Sequence, residues 1–408
     1  CIRKMGRLTS AEDEIAEAAV VQLGFVEDPA DVKLLQRRFF PSKVGGKPAW
    51  LSPINLPDQS LTNCDICRRP MSFLLQVYAP LNDVSPEAFH RTIFVLCCRN
   101  GRCHGQNGSI KAFRSQLPRR NDFYSYDPPN EDSPDSEHTS NDRAENMCEL
   151  CGLLAAQRCG GCKTVYYCCR DHQQEDWRLG HQTLCKAIQA SQAGDIVSNM
   201  QRLSTTSGSS VAEKKVSPRL FKEMEIIEEE EMIDQDAENQ FEKENRLLEA
   251  YNKRQDKMKK ASQEKSEGPG GCEGGVGDDA VDMSGLVEKQ DPFFVKFRKR
   301  VASNPEQVLR YIRLDPSGPM WVHSESVCAP SDVPNCPKCK SPRSAEFQIL
   351  PQLLYYLHVD HDSEVGDSID WGTLIVYTCP KSCSIGTSYA EEFVWRQPPI
   401  QQLPSVPS

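Results

Sequence analysis

The chain has 408 residues and a formal net charge of −10, and 38% of its residues are hydrophobic. This length suffices for two or three domains, and the low hydrophobic fraction predicts small folded modules beside disordered stretches. No apolar run approaches 18 residues, which excludes a membrane-spanning helix. The sequence does not open on a basic segment followed by an apolar one, so we expect no secretion. The first residue is Cys1, which leaves the native start open, with Met5 as an alternative.

Two acidic tracts carry the negative charge of the chain. Residues 121–147 hold eight acidic residues and one basic residue, and residues 222–249 hold twelve acidic residues and three basic residues. Such tracts attract basic partners and repel nucleic acid, so we expect a basic partner and no direct binding of nucleic acid. A solvated linker is the plainer interpretation of each tract.

The first predicted folded block covers residues 10–120 and is rich in β-strand signals. Strands are predicted at residues 20–26, 74–78 and 92–96, where β-branched and aromatic residues concentrate. The Pro-, Ser- and Asp-rich stretch that follows, residues 121–147, is predicted to be an acidic linker.

Three more segments follow the first linker. Residues 148–186 form a compact module rich in cysteine and histidine. Residues 187–290 are predicted to be a disordered or helical acidic linker, with good helix formers over residues 217–261. Residues 291–398 form the last folded block.

Two proline positions predict helix starts in the last block. Asp291 precedes Pro292, and Asn304 precedes Pro305. An Asx residue followed by proline is typical of a helix N-cap and first helical position. We therefore predict two short helices there.

The first and last blocks repeat one order of motifs: a tryptophan, a Cys-x2-Cys pair, two strands and two further cysteines. The first block contains Trp50, Cys64, Cys67, strands 74–78 and 92–96, Cys98 and Cys103. The last block contains Trp321, Cys336, Cys339, strands 353–357 and 373–378, Cys379 and Cys383. Without a secretion signal, such spacing indicates metal sites rather than disulfides. We predict two related β-rich units, each held by one zinc ion on four thiolates.

The repeat also decides between two adjacent cysteines. Cys98 aligns with Cys379, whereas Cys97 aligns with Thr378. Cys98 is therefore the predicted zinc ligand, and Cys97 is predicted to pack in the core. His104 ranks below Cys98 as a ligand, because the last block has serine at the corresponding position.

The central module holds eight metal-binding side chains in four pairs, enough for two zinc ions. They are Cys148, Cys151, Cys159, Cys162, Cys168, His172, His181 and Cys185. This spacing, with Tyr166, Tyr167 and Trp177 between the pairs, resembles the MYND zinc finger over its whole length. The resemblance implies cross-braced binding. One ion would take Cys148, Cys151, Cys168 and His172, and the other Cys159, Cys162, His181 and Cys185.

The ligand count favours structural over catalytic zinc. Four protein ligands leave no open position for water, and no HExxH motif is present. Motifs for nucleotide binding and acyl transfer are also absent from the sequence, so we predict a protein that is not an enzyme. One short helix is predicted from Asp171 to Cys185, and Cys169 is predicted to bind no metal.

Four further segments extend the resemblance beyond the zinc finger. They are residues 42–51 (SKVGGKPAWL), 73–81 (FLLQVYAPL), 89–91 (FHR) and 305–311 (PEQVLRY). With the MYND finger and the two cysteine repeats, they make the chain similar to the programmed cell death protein 2 family, in the branch that carries the finger. The resemblance covers most of the chain outside residues 187–290.

The motifs together predict a β-rich α+β protein with about four structural zinc ions. Two related zinc-pinned β units would flank the small cross-braced MYND finger, with disordered acidic linkers between them. The family resemblance implies a cytoplasmic and nuclear protein. It also implies a dedicated chaperone that escorts a basic small-subunit ribosomal protein during ribosome biogenesis.

An adaptor role is the alternative. MYND fingers of other proteins bind proline-rich peptides in an aromatic groove, and Tyr167, Gln173 and Trp177 could line such a groove here. The protein would then act in transcription or signalling. Packing around zinc is the plainer explanation for Tyr167 and Trp177.

Overall fold

The computed structural model describes most of the predicted folded blocks. It describes residues 21–130, 146–192, 217–232, 234–266, 291–313, 315, 317–359 and 368–400. Large parts of both predicted linkers, including residues 131–145, 193–216 and 267–290, lie outside the described residues. Within the described ranges, none of the helices combines the length and the apolar character that crossing a bilayer requires.

Ten of the described strands close into a single barrel. The strands of the chain are β1 (Gln22–Glu27), β2 (Lys43–Val44), β3 (Ser72–Tyr78), β4 (His90–Cys97), β5 (Ile110–Leu117), β6 (Gln157–Arg158), β7 (Tyr166–Tyr167), β8 (Met224–Glu230), β9 (Leu309–Tyr311), β10 (Ser344–Ile349), β11 (Thr373–Thr378) and β12 (Ala390–Gln397). Around the barrel the order is β1-β8-β2-β3-β4-β5-β12-β11-β10-β9, and β6 pairs with β7 in a separate sheet.

The two predicted units share this barrel instead of standing apart. We call β1 to β5 the first half and β9 to β12 the second half. β12 pairs antiparallel with β5, and β9 pairs antiparallel with β1, so each half completes the other. The predicted arrangement of two units flanking the finger is therefore not confirmed. The sequence left open whether the two units pack together, and in the structure they do. Neither half has a free edge at these two junctions, because the partner half occupies it.

The helices only partly match the predicted starts. They are α1 (Gln59–Thr62), α2 (Arg170–Asp176), α3 (Gln182–Gln192), α4 (Gln235–Ser266), α5 (Pro292–Ala302) and α6 (Gln352–Tyr356). Asp291 caps α5, since its carboxylate accepts the N–H of Phe293 at 2.8 Å. The helix predicted after Asn304 is wrong. Leu309 and its neighbours form β9, because the barrel interior completely buries Leu309.

The strand predicted over residues 353–357 is also wrong. These residues lie mostly in α6, where Leu353 and Leu357 face the core one helical turn apart. The true counterpart of β3 is β10. Each of these strands begins five residues after its Cys-x2-Cys pair, and each has a bulge, at Leu74 in β3 and at Glu346 in β10.

A strand lies inside the acidic segment for which helix or disorder was predicted. β8 inserts between β1 and β2, and it faces the core with Met224 and Ile226. Alternating apolar residues are the strand signal here, but the glutamates around them conceal it. The helical part of the prediction does match α4, which runs over residues 235–266.

Buried cations of both halves hold the two ends of β8. Lys43 of the first half is 3% exposed and pairs with Glu223. Arg310 of the second half is 1% exposed, and it donates to both carboxylate oxygens of Glu231 at 2.6 and 2.8 Å. Some acids of this tract are therefore structural, because losing them would leave a buried cation unpaired.

Two buried Arg–Glu–Arg triads join the halves inside the barrel. Arg91 of β4 donates to both oxygens of Glu346 at 2.9 and 3.0 Å, and Arg313 donates to the same carboxylate at 2.6 Å. The second triad consists of Arg114, Glu392 and Arg343, with N···O distances of 2.7 and 2.9 Å. In each triad an arginine of the first half meets a glutamate of the second half.

The first triad controls the protonation of its carboxylate. Burial by itself would raise the pKa of Glu346, but the guanidinium groups of Arg91 and Arg313 and the hydroxyl of Thr378 lower that pKa to about 2. Glu346 is therefore ionised in the folded protein at neutral pH.

Candidate metal centres

The structure gathers sixteen cysteine and histidine side chains into four groups, and the ligand atoms of each group lie within 4.8 Å of one another. The groups are Cys64, Cys67, Cys98 and Cys103; Cys148, Cys151, Cys168 and His172; Cys159, Cys162, His181 and Cys185; and Cys336, Cys339, Cys379 and Cys383. These are the same four sets that the sequence predicted. The two central sets are cross-braced, since their members alternate in pairs along the chain.

The distances fit tetrahedral zinc. Thiolates about 2.3 Å from a zinc ion lie about 3.8 Å from one another at the corners of a tetrahedron. The Sγ atoms of Cys67 and Cys98 are 3.6 Å apart, and those of Cys151 and Cys168 are 3.7 Å apart. The Sγ atom of Cys162 lies 3.8 Å from Nε2 of His181. The chain therefore contains four clusters suited to zinc.

One local turn builds half of every cluster. After each Cys-x2-Cys pair, the next residue has a left-handed backbone, as at Arg68 and Lys340, where φ is 59° in both. The N–H of that residue donates to the carbonyl of the first cysteine, at 2.9 Å in both outer clusters. Gly152 and Lys163 repeat this arrangement in the finger. Because the turn is local, the spacing alone predicts two of the four ligands.

The residue after β7, Cys168, and the helical segment that follows it supply the remaining four ligands of the finger. Cys169 caps α2, and its sulfur accepts the N–H of His172 at 3.5 Å, so it has a structural contact outside the metal groups. The single helix predicted from Asp171 to Cys185 is interrupted at Gly180, where φ is 142°. This break turns the chain before α3, which carries Cys185.

A carboxylate lies behind one histidine ligand. Nε2 of His181 faces the cluster, and its Nδ1 lies 4.0 Å from Asp176, which is completely buried. Such carboxylates orient ligating imidazoles. The hydroxyl of Tyr167 donates to Asp176 at 2.7 Å. Asp176 was not predicted from the sequence, where its spacing of five residues from His181 was the only signal.

Tyr167 therefore does not line a groove. Its side chain is 0% exposed and packs inside the finger, which corrects its prediction as a partner-binding residue. Trp177 is 39% exposed, and Gln173 is half-buried. Of the three residues predicted to bind a partner, these two reach the surface.

The adjacent cysteines of the first cluster take different positions. Cys98 belongs to the metal group, whereas Cys97 packs in the barrel core. Burial raises the pKa of the Cys97 thiol to about 12, so it stays protonated at neutral pH. His104 lies outside the metal group, and its Nε2 is 2.7 Å from the carbonyl oxygen of Cys98.

The finger packs against the first half of the barrel. The indole N–H of Trp50 donates to the carbonyl of Gly152 at 2.8 Å, and the amide of Gln59 donates to the carbonyl of Cys168 at 2.5 Å. Trp50 also shares an apolar cluster with Leu150 and Leu153. The finger is therefore held to the barrel by both hydrogen bonds and burial.

Family models match three segments of the chain. Residues 20–131 match the N-terminal domain of programmed cell death protein 2, and residues 291–398 match the C-terminal domain described for the same protein. Residues 148–185 match the MYND finger. The chain belongs to the programmed cell death protein 2 family. The family match thus covers both halves of the barrel and the finger between them.

Related proteins match this chain over almost its whole length. The chain is 37% identical to "Programmed cell death protein 2" of Bos taurus over 388 residues, covering 93% of this chain and 97% of the relative. It is 38% identical to the Rattus norvegicus protein of the same name, covering 92% and 96%. A shorter match, 33% over 99 residues, covers 22% of this chain and 23% of "Probable 20S rRNA accumulation protein 4" of Schizosaccharomyces pombe. No solved structure matches this chain.

Proposed function

We propose that this protein is a non-enzymatic zinc protein that escorts a basic small-subunit ribosomal protein during ribosome biogenesis, in the cytoplasm and the nucleus. The zinc geometry supports the absence of catalysis, because four ligands per ion leave no position for a substrate. The name of the Schizosaccharomyces pombe relative refers to 20S rRNA accumulation and supports the connection to ribosome production.

The outer face of β1 and β8 is the observation that carries the proposal. Val26 and Ile226 face the barrel core, so the residues directly before and after each of them face outward. On this outer face the half-buried Phe25 and Ile227 lie opposite each other. A small apolar centre is therefore available on the outside of the barrel.

Glutamates surround this apolar centre. Glu27 lies directly opposite Glu225, and Glu229 is exposed farther along β8. Like charges directly across two strands destabilise a sheet. Their repulsion is relieved when a cationic partner binds, so this face suits a client that is basic and partly apolar.

Affinity purification tests the proposal directly. The tagged full-length protein would be isolated after ribonuclease treatment, and proteins present in stoichiometric amount would be identified. We expect one basic small-subunit ribosomal protein without the other ribosomal proteins. Recovery of whole ribosomal particles, or of no ribosomal protein, would contradict the proposal.

Charge reversal locates the binding face. Glu225→Lys combined with Glu229→Lys should weaken the client complex at least tenfold at low salt and less at high salt, because salt screens exposed charges. Glu87→Lys is the matched control, since Glu87 is exposed outside this face. Equal losses in both variants would remove the β1–β8 face from the mechanism.

The exposed Trp177 favours one second candidate. An indole that is 39% exposed on the finger can contact a proline-rich peptide, as an adaptor in transcription or signalling requires. Recovery of chromatin or co-repressor proteins that are lost on Trp177→Ala would favour this adaptor role over the escort role.

A further inference from the structure

Helix α4 extends well beyond its contact with helix α5. Its first half packs on α5, where Phe241 lies under Arg298 and Glu242 pairs with Lys299 at 2.7 Å. At 1.5 Å per residue, residues 240–258 span about 28 Å. The apolar side chains along this span that are most exposed are Leu247 at 62%, Tyr251 at 59% and Met258 at 55%.

These apolar side chains belong to one stripe of the helix. At about 100° per residue, positions three and four apart share a face. The stripe consists of Gln240, Glu244, Leu247, Tyr251, Arg254 and Met258, all of them exposed. It is centred about 100° from Phe241 and about 160° from Glu242, which both contact α5, so it points away from α5.

The charge of α4 is divided along its length. Residues 234–244 hold five acidic residues and one basic residue, and residues 246–260 hold six basic residues and two acidic residues. A second copy of the helix running antiparallel would set each acidic half against a basic half. A parallel copy would set like charges together and be repelled.

We propose that the α4 stripe is a self-association surface, on which a second copy of this chain docks its own α4 antiparallel. A two-fold axis beside residue 249 sets Leu247 against Tyr251 of the second copy. The same axis sets Glu244 against Arg254 of the second copy, and the pair forms twice. Self-complementarity of this kind is what an isologous dimer requires. One helix pair is a small interface, so the dimer is reversible and depends on concentration.

Two charge variants test the pairing in the full-length, zinc-loaded protein by sedimentation velocity over a concentration series. Arg254→Glu alone and Glu244→Arg alone each replace two attractive pairs with two repulsive ones. Each should raise the dimer dissociation constant about tenfold. Their equimolar mixture should restore association, because only in the mixed dimer does each arginine at these two positions face a glutamate of the other chain.

Lys253→Glu is the matched control. It makes the same charge change as Arg254→Glu at an exposed position that lies about 140° from the centre of the stripe. It should leave the dissociation constant within about twofold of the parent value. Equal effects of the Lys253 and Arg254 changes, or a mixture that stays monomeric, would overturn the proposal.

The competing occupant is a nucleic acid on the basic half of α4, and the same variants distinguish it. A parent chain that is monomeric at every concentration would also overturn the proposal. Its binding of a duplex RNA through Arg254 and Lys253 equally would assign the basic half of α4 to nucleic acid. Binding of the duplex would be followed by electrophoretic mobility shift with the same three variants.

Discussion

The two halves of the barrel follow one template but use equivalent positions differently. Both have a Cys-x2-Cys turn and a bulged strand that begins five residues later. In both, a glutamine side chain accepts the backbone N–H of the residue directly before the tryptophan. At the bulge, the first half has Leu74 in an apolar cluster with Cys97. The second half has Glu346, which accepts the hydroxyl of Thr378.

This difference shows how a duplicated unit becomes specific for its partner. The polar pair of the second half receives Arg91 from the first half, whereas the first half has apolar side chains at the same positions. Two copies of the first half would bury Arg91 without a carboxylate, and burying an unpaired charge is costly. The triads therefore favour pairing of unlike halves.

The largest expected effect comes from removing a zinc ligand in either half. Cys64→Ser and Cys336→Ser should each lower the zinc content by one ion. Structural zinc contributes about 10 kcal/mol or more to small zinc fingers, so either change should lower the unfolding temperature strongly. Because both halves belong to one barrel, we expect a single cooperative transition in calorimetry.

Two outcomes would break that expectation. A zinc content that stays at four after either change would mean that the ligand sets are wrong. Two separate transitions, with only the mutated half destabilised, would mean that the halves fold independently despite the shared barrel.

The next largest effect is expected at the first triad. Glu346→Gln leaves Arg91 and Arg313 buried beside a neutral amide, which should lower the free energy of unfolding by about 3 to 5 kcal/mol. Denaturant unfolding measures this loss. Glu87→Gln, at an exposed position, should change it by less than about 0.5 kcal/mol. If Glu346→Gln lowers the free energy of unfolding as little as the control does, the triad does not stabilise the fold.

Acid should weaken the parent protein through the same carboxylate. The pKa of Glu346 is about 2 in the folded state, below the usual value near 4.3, so the ionised group stabilises the fold above about pH 5. As the pH falls from about 5 to about 2, roughly 3 kcal/mol of this stabilisation is lost. The difference in stability between the parent and Glu346→Gln should shrink over the same range. A difference that is independent of pH would exclude this linkage.

The smallest effects are expected when one half takes the residue of the other. Cys97→Thr places a hydroxyl in an apolar cluster and should cost about 1 to 3 kcal/mol while the zinc content stays at four. Thr378→Cys removes the hydroxyl that donates to Glu346 at 2.5 Å, which should cost about 1 kcal/mol. Loss of zinc in Cys97→Thr would reassign the ligand between Cys97 and Cys98.

Local features were predictable from the sequence alone. The Cys-x2-Cys turns depend on residues within six positions of each other, so their spacing indicated the ligand groups that the structure assembles. The internal repeat distinguished Cys98 from Cys97 because the same turn occurs twice. The N-cap at Asp291 was likewise local.

Only the tertiary structure decided how these pieces combine. Whether β5 pairs with β12, and whether the glutamate-rich β8 joins the barrel, depends on partners more than one hundred residues away in the chain. The burial of Tyr167 depends on Asp176 and on the break at Gly180. Strand alternation and composition specify a face to be buried, but they do not specify the surface that buries it. That choice follows from the complementary charges and shapes of segments that only the folded chain brings together.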